Sequence, residues 1–275
     1  MPVEAIAWQT LLVARKGGHL HVTLNRPESR NALSEEMVDE LAALVHEVAA
    51  DASLRSLVLR GAGGSFCAGG DIKGFRASFE AAAPAPGEAD PIARHNRRFG
   101  DFLMALDRMP QTVIAVVEGM AMGGGVGLAC VADVVLAAAD ARFALSETSL
   151  GIVPAQIAPF VMRRVGLSQA RRLALTGARL DGAAALAVGL VHILAEKGPA
   201  LEAALARVLA DLGRCAPGAN AATKAVLRLG AELSLPEVLD FAAQEFARCL
   251  RGPEGREGVA AFLEKRPANW VEGAE

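Results

Sequence analysis

The chain has 275 residues, a formal net charge of −3 and 52% hydrophobic residues, a composition typical of a globular protein with a sizeable core. Its 28 basic and 31 acidic side chains are interspersed, so the strongly positive surface of a nucleic-acid-binding protein is not expected. The longest uncharged apolar run, residues 119–132, contains five glycines and is too short to span a bilayer.

Cysteines and histidines do not form a metal-binding pattern. The four cysteines are too far apart for a CxxC motif, and none of the five histidines belongs to an HExxH motif. The first residues also lack the basic and apolar segments of a secretory signal. We therefore expect a cytoplasmic protein with free thiols and no metal site.

The first secondary-structure signals indicate strands alternating with a helix. Residues 19–24, HLHVTL, alternate between apolar and polar side chains and predict a half-buried strand. Ser34 is a suitable N-cap for a helix that ends near Ala50, because apolar residues follow it at helical spacing: Met37, Val38, Leu41, Leu44, Val45 and Val48. Residues 55–61, RSLVLRG, predict a short buried strand.

The middle of the chain continues this alternation. Residues 77–90 are rich in Ala, Pro and Glu and predict a loop, and Asp90 followed by proline is a typical helix start. Residues 112–119, TVIAVVEG, predict a buried strand that leads into a glycine-rich turn and a helix.

The last third of the chain differs from the rest. Two short strands are expected within residues 132–145 and a helix beginning near Gln156 or Ile157, but after residue 198 only helical patterns remain. The sequence therefore predicts an α/β core at 1–198 and a helical C-terminal region at 199–275.

Two junctions between a buried strand and a glycine-rich turn are the most informative features. They are LVLRGAGGSFCAGGDIK, residues 57–73, and IAVVEGMAMGGGVGLAC, residues 114–130. Small residues allow a ligand to approach the main chain closely, and a helix start also offers free N–H groups. If the two turns lie side by side, one N–H from each can donate to the same oxygen, which is the arrangement of an oxyanion hole.

Five motifs together resemble those of the crotonase, or enoyl-CoA hydratase/isomerase, superfamily. The resemblance extends from about residue 11 to about residue 270, and it is closest to bacterial hydratases of glutaconyl-type thioesters. The motifs, in chain order, are NRPESRNAL, FCAGGDIK, GMAMGGGVGLAC, SETSLGIVP and AFLEKRPANW.

The resemblance implies a fold and a class of ligand. Members of this superfamily fold as a spiral of ββα units with a helical C-terminal region that forms trimers, often paired into hexamers. They bind acyl-CoA thioesters, so coenzyme A is expected as part of the substrate and no other cofactor is required. The implied enzyme is a lyase that adds water to an enoyl-CoA, or an isomerase.

The resemblance also implies roles for individual residues. The two main-chain donors to the thioester oxygen fall on Ala68 and Gly124, and Glu147 matches one of the two glutamates that move protons in hydratases. Contacts with the CoA portion are implied for Arg26, Arg30, Ala68, Gly70, Asp71, Ile72, Lys73, Phe262 and Lys265. For the two arginines a solvated turn is an equally good interpretation, and Glu147 has the alternative of a surface residue that caps a turn.

One position departs from the family pattern. Gly127 stands where the second catalytic glutamate is expected, and a single carboxylate suits an allylic proton transfer better than hydration. The volume left by this glycine is expected to accommodate a branched acyl chain or a second carboxylate of the substrate. Residues expected to form the acyl pocket are Met122, Gly127, Pro154 and Gln156, although Met122 is also a candidate for simple packing.

Three functions therefore remain open at the level of the sequence. The first is hydration of a branched or glutaconyl-type enoyl-CoA, the second is isomerisation or another enolate reaction, and the third is binding of acyl-CoA without catalysis. Residues 76–98 are either a lid over the acyl end or a solvated segment.

Overall fold

The computed structural model describes residues 3–71, 84–85 and 87–271, and within them nine strands form two sheets. The large sheet has the order β1-β2-β3-β4-β6-β9, and the small sheet has the order β5-β7-β8. The strands are β1 Leu11–Lys16, β2 His19–Leu24, β3 Ser56–Gly61, β4 Thr112–Val117, β5 Met120–Met122, β6 Val134–Ala138, β7 Arg142–Ala144, β8 Arg179–Asp181 and β9 Ile193–Ala195.

Nine α-helices surround the sheets or follow them within the described residues. They are α1 Glu35–Ala50, α2 Pro91–Arg108, α3 Gly124–Val131, α4 Ala158–Thr176, α5 Gly182–Ala187, α6 Pro199–Gly213, α7 Pro217–Leu229, α8 Leu235–Arg251 and α9 Pro253–Leu263. This mixed α/β architecture confirms the predicted fold class.

The large sheet is covered on both faces, which explains its continuous apolar strands. In β1 and β2 the pairing is antiparallel, whereas β2, β3, β4, β6 and β9 run parallel. Because side chains alternate along a strand, Leu57 and Leu59 face the main core, while Val58 faces a second cluster with Leu201 and Leu205 of α6. Helices α1, α2 and α3 contribute to the main core.

The two strand-to-glycine junctions lie side by side, which is the condition under which the sequence predicts an oxyanion hole. Strands β3 and β4 are parallel neighbours, so their carboxyl ends meet at the same edge of the sheet. Beyond that edge, Cys67 pairs with Ala121: the Cys67 N–H donates to the Met120 carbonyl at 2.9 Å, and the Met122 N–H donates to the Cys67 carbonyl at 2.9 Å. The junctions are thus joined by main-chain hydrogen bonds.

The small sheet brings a third segment to this edge. Strand β5 pairs with β7, and the Gly123 N–H donates to the carbonyl of Ala144, the last residue of β7, at 2.9 Å. The chain then forms the 3₁₀ turn Glu147–Leu150, which ends at Gly151 in a left-handed conformation. The segment with Glu147 is therefore held next to the start of α3.

The C-terminal helices are less buried than the core. Helix α6 packs on the large sheet, but α7, α8 and α9 bury only Ala222, Val238 and Ala261 respectively. Large apolar side chains remain exposed on these helices and their connections: Leu227, Leu233, Leu235, Leu239, Phe246, Leu250, Val259, Phe262 and Leu263. The division of the chain at residue 198 stays a prediction.

In the part of the chain that the structure describes, no helix has both the length and the hydrophobicity needed to cross a membrane.

Candidate active site

A cavity opens where the two glycine junctions, the Glu147 turn and helices α1 and α2 meet. It encloses about 860 Å³ of empty space, part of which is continuous with solvent. Its walls combine apolar side chains with a few polar groups. The lining residues are Leu33, Ser34, Glu35, Val38, Asp39, Gly70, His95, Asn96, Arg98, Phe99, Gly124, Glu147, Ile152, Val153, Pro154, Ala155, Gln156 and Ile157.

Glu147 is a half-buried acid that lines this cavity. Its Oε2 atom is shielded from solvent and has no hydrogen-bond partner among the described residues. Burial raises the pKa of this carboxyl group, because the ionised form loses hydration. A carboxyl group with a raised pKa can accept a proton and return it near neutral pH. The predicted proton-transfer residue is therefore placed in the cavity, in an environment suited to that role.

The three glycines at the start of α3 are each required by a different neighbour. Gly123 has a φ of 47°, and a Cβ there would lie 2.8 Å from Oε1 of Glu147. A Cβ on Gly124 would lie 2.8 Å from Cδ1 of Leu33, and one on Gly125 would lie 2.6 Å from the Cys67 carbonyl oxygen. Side chains at these positions would thus displace the carboxylate, fill the cavity or separate the junctions.

Two main-chain N–H groups are available in the cavity wall. Gly124 is the first residue of α3, where an N–H has no acceptor in the preceding turn, and the first hydrogen bond across this turn runs from Gly127 to Gly123. Gly70 lies on the other junction and lines the same cavity. Among the described residues, the Gly70 N–H has no acceptor. The hydrogen bonds on either side of it use the Gly69 carbonyl and the Asp71 N–H instead.

The assignment of Ala68 as the second donor is wrong. Its N–H already donates to the Arg30 carbonyl at 3.0 Å, and Ala68 does not line the cavity. The free amide lies two residues later, at Gly70. From the sequence, every residue in this run is small, so the pattern does not show which N–H is used inside the protein.

Asn31 holds the first junction in place and was not recognised from the sequence. Its side chain is fully buried and its φ is 58°, a conformation that asparagine tolerates better than most residues. Its Nδ2 donates to the Ala62 and Ser65 carbonyls at 2.9 and 2.7 Å, and its Oδ1 accepts from the Arg26 N–H at 2.9 Å. The only sequence signal was its position in a turn motif.

Gly127 does not leave an open volume, which corrects a second expectation. A Cβ at this position would overlap Cγ2 of Ile157 and lie 3.1 Å from its Cβ and 3.6 Å from Cδ1 of Leu103. Ile157 lines the cavity and Gly127 does not. The space of the missing glutamate is thus occupied by an isoleucine side chain from the loop before α4.

The other residues predicted for the acyl pocket divide into two groups. Pro154 and Gln156 line the cavity, and Nε2 of Gln156 donates to Oδ1 of Asn96 at 2.8 Å. Met122 does not line the cavity, and its main-chain N–H bonds to Cys67 instead. Met122 therefore belongs to the structure of the junction, in line with the packing alternative.

The residues predicted to contact CoA lie in different settings. Arg26 is partly buried and bonds to the Ala32 carbonyl at 2.7 Å and to Asp71 at 3.3 Å, so it braces the first junction. Arg30 is exposed and has a φ of 53°. Ile72 and Lys73 lie outside the described residues.

The C-terminal pair predicted to contact CoA lies elsewhere. Phe262, in the last turn of α9, is 83% exposed, and Lys265 follows two residues after that helix. Neither lines the cavity of its own chain. Their role toward CoA stays a prediction.

The proposed lid is described only in part, because residues 76–83 and 86 lie outside the described residues. His95, Asn96 and Arg98 of α2 line the cavity. Arg98 forms ion pairs with Glu35, at 3.0 Å, and with Asp39, both on α1. Helix α2 is therefore fastened to α1 across the outer part of the cavity.

Comparisons with known proteins cover nearly the whole chain. A sequence profile described as enoyl-CoA hydratase/isomerase matches residues 14–273. The structure of Pseudomonas aeruginosa AtuE is 53% identical, with a TM-score of 0.91 over 96% of this chain and 100% of that chain.

Two of the relatives have names that state a substrate. Mevalonyl-coenzyme A hydratase SIDH of Beauveria bassiana is 36% identical over 259 residues, with 91% of this chain and 90% of that protein covered. The 2,3-dehydroadipyl-CoA hydratase of Escherichia coli is 33% identical over 257 residues, with 93% and 96% covered. The matches thus span both sheets, the cavity and the C-terminal helices.

Proposed function

The chain belongs to the enoyl-CoA hydratase/isomerase family, and on that premise we propose that it adds water across the C2–C3 double bond of a branched or glutaconyl-type enoyl-CoA. One observation carries this proposal: the partly buried carboxyl group of Glu147, whose Oε2 atom is shielded and has no hydrogen-bond partner among the described residues, lies in one cavity with Gly70 and Gly124. The acyl-CoA substrate follows from the family, and the branch and second carboxylate are the finer part of the proposal.

The main-chain amides polarise the thioester. The N–H groups of Gly70 and Gly124 donate to the thioester oxygen, and their interaction strengthens as negative charge moves from C3 through C2 to that oxygen. Removal of one such donor typically costs on the order of 10²–10³ in rate. The donors are fixed by the strand junctions, so little reorganisation accompanies the reaction.

Glu147 transfers the proton. In the proposed sequence its carboxylate accepts a proton from water while the water oxygen bonds to C3 and the π electrons move to the thioester oxygen. The protonated carboxyl group then donates that proton to C2 as the enolate collapses. The net change is the addition of one water molecule, and Glu147 returns to its starting form. Because its pKa is raised, this one carboxyl group can both accept the proton from water and donate it to C2.

The substrate class receives support from the relatives. A mevalonyl group is branched at C3, and a dehydroadipyl group carries a second carboxyl group, so family members of similar sequence act on both kinds of acyl chain. We propose no cofactor beyond the CoA moiety of the substrate. An isomerase is the second candidate, because a single carboxylate can move a proton from C4 to C2 and Gly127 supplies no second one.

A homotrimer or homohexamer is the proposed assembly. The exposed apolar side chains of α7 to α9 support it, because monomeric proteins rarely expose such a large apolar surface. In that assembly Phe262 and Lys265 would contact the CoA of a neighbouring subunit. Sedimentation equilibrium tests the assembly against the 28.5 kDa mass of one chain, and a single-chain mass would contradict it.

The reaction is tested by assays with three thioesters. Crotonyl-CoA and 3-methylglutaconyl-CoA lose the absorbance of the conjugated thioester on hydration, whereas a 3-enoyl-CoA gains it on isomerisation. Loss of absorbance with 3-methylglutaconyl-CoA as the best substrate supports the proposal. Gain with the 3-enoyl ester alone favours the isomerase. Binding without either change indicates a non-catalytic protein.

Glu147→Gln tests the proton-transfer residue. We expect kcat to fall by at least about 10², while the dissociation constant for a saturated acyl-CoA changes little. Glu36→Gln, at an exposed position of α1, is the matched control and should leave kcat unchanged. A Glu147→Gln enzyme within tenfold of the parent would show that another group moves the proton.

The pH profile gives an independent readout. Since burial raises the pKa of Glu147 and water activation needs the ionised form, kcat/KM should fall with decreasing pH through that raised pKa. The acid limb should therefore lie above the range of an ordinary glutamate. An acid limb in the ordinary range would contradict the assignment.

A further inference from the structure

We propose that Ile157 is a specificity-determining residue, the wall that receives an alkyl branch at C3 of the acyl chain. This inference rests on the proposed function and refines its substrate class. It begins from the contact between Ile157 and Gly127, two residues that are 30 positions apart in the sequence.

Gly127 faces the same side of α3 as the cavity residue Gly124. Residues three apart on a helix are neighbours on one face, so a side chain at 127 would extend beside the amide of Gly124. Ile157 prevents this, because its Cβ lies 3.1 Å from the position of a Cβ on Gly127 and its Cγ2 would overlap that atom. A carboxyl group cannot enter from this position.

Ile157 also forms part of a wider apolar wall. It is only 3% exposed, yet it borders the cavity together with Phe99, Ile152 and Leu33. The ring of Phe99 reaches 3.4 Å from the position of a Cβ on Gly124, so the wall continues to the candidate oxyanion donor. The part of the acyl chain next to the thioester therefore meets carbon atoms on this side.

This wall has a consequence for the substrate. A carboxylate against such a surface would lose its hydration without gaining a partner, whereas an alkyl group of the ligand gains from being buried there. A C3 carbon that carries an alkyl branch fills this side, and a straight crotonyl chain leaves part of it empty. Glu147, beside Gly123, remains the polar side of the site.

The first experiment measures binding and does not depend on turnover. Dissociation constants are determined by calorimetry for butyryl-CoA, 3-methylbutyryl-CoA and 3-methylhexanoyl-CoA with the parent, Ile157→Ala and Ile157→Phe. We expect Ile157→Ala to strengthen binding of the 3-methylhexanoyl ester relative to the butyryl ester about tenfold. Ile157→Phe should have the opposite effect on the relative affinities of these two esters. The corresponding enoyl esters should show the same order in kcat/KM.

Val161→Ala is the matched control, because Val161 is a buried residue one turn further along α4 that does not line this cavity. Like Ile157→Ala, it should lower the thermal stability, but it should not change the ratio of affinities. Equal changes for all three esters in the Ile157 variants would overturn the inference. If the affinity ratios shift as expected but no ester is hydrated, the proposed reaction fails and the inference stands.

A second measurement tests the contact itself. Gly127→Ala should lower the melting temperature because the new methyl group overlaps Ile157, and the double variant Gly127→Ala with Ile157→Ala should recover most of that loss. Additive losses in the double variant would show that the two positions are not coupled and would remove the basis of the inference.

Discussion

The two glycine junctions and the helices α7 to α9 differ in how completely the chain's own contacts surround them. In the first junction Phe66 and Cys67 are fully buried, and main-chain bonds join the two turns. On the C-terminal helices Phe246 is 69% exposed and Phe262 is 83% exposed. The candidate catalytic geometry is thus fixed by contacts within one chain, whereas the C-terminal region leaves large apolar side chains exposed.

The largest effect is expected from removing one amide hydrogen in the first junction. Replacement of the main-chain N–H of residue 70 by an ester oxygen, through glycolate in place of Gly70, should lower kcat by about 10²–10³. The same replacement at residue 68, through lactate, removes only the hydrogen bond to the Arg30 carbonyl.

Comparison of these two esters decides which amide is the donor. At residue 68 we expect a loss of about 1 kcal/mol in the free energy of unfolding and a kcat within about threefold of the parent. Steady-state kinetics and urea unfolding measure the two quantities. A larger loss of kcat at 68 than at 70 would restore the original assignment.

An intermediate effect is expected from the side chain that holds the first junction. Asn31→Gly keeps the positive φ but removes three hydrogen bonds and leaves buried carbonyl groups without donors, so the free energy of unfolding should fall by about 3 kcal/mol. For Asn31→Ala the free energy of unfolding should be lower by roughly a further 1 kcal/mol, because alanine is strained at the positive φ of this position. Urea unfolding measures both, and a loss below about 0.5 kcal/mol for Asn31→Gly would show that the network contributes little.

The smallest effect is expected where the C-terminal region is attached to the core. Lys224 of α7 contacts Asp133 at 2.7 Å and the Gln111 carbonyl at 3.1 Å, and this partly buried pair connects α7 to the ends of β4 and β6. Lys224→Met should lower the free energy of unfolding by about 1–2 kcal/mol and increase hydrogen exchange in α7.

Its control lies on the same helix. Arg228 pairs with Glu232 one turn later, so Arg228→Met should cost only about 0.3–0.5 kcal/mol. Neither change should alter kcat, since neither residue borders the cavity. A loss of kcat with Lys224→Met would mean that the attachment of α7 also controls the active site, so the junctions and the C-terminal helices would not be independent.

Much of the fold could be predicted from local patterns. The strand at 19–24, the helix capped by Ser34 and the helix that begins after Asp90 have the predicted bounds, because alternation, N-caps and proline act within a few residues. The two glycine junctions were each predicted to follow a buried strand, and their meeting was the condition for an oxyanion hole. The two short strands expected within 132–145 are present as β6 and β7. Strands β1 and β5 were not predicted, because their pairing partners are defined only in the folded chain.

The details of the site depended on contacts that no local pattern contains. The use of the Ala68 amide by Arg30 involves residues 38 positions apart. The space beside Gly127 of α3 is filled by Ile157, which lies in the loop before α4. For Ala68 and Gly127 the sequence pattern identified the small residue, but contacts with distant residues determine its role.

The triplet Gly123-Gly124-Gly125 limits how this enzyme can acquire a new substrate. The first glycine makes room for the acid, the second for the side chains of Leu33 and Phe99, and the third for a neighbouring carbonyl. A side chain at any of the three positions would therefore meet one of these groups. Changes in substrate range are therefore expected in the other walls of the cavity, which are the loop 152–157 and helices α1 and α2. Directed evolution of this protein should accumulate its productive substitutions there.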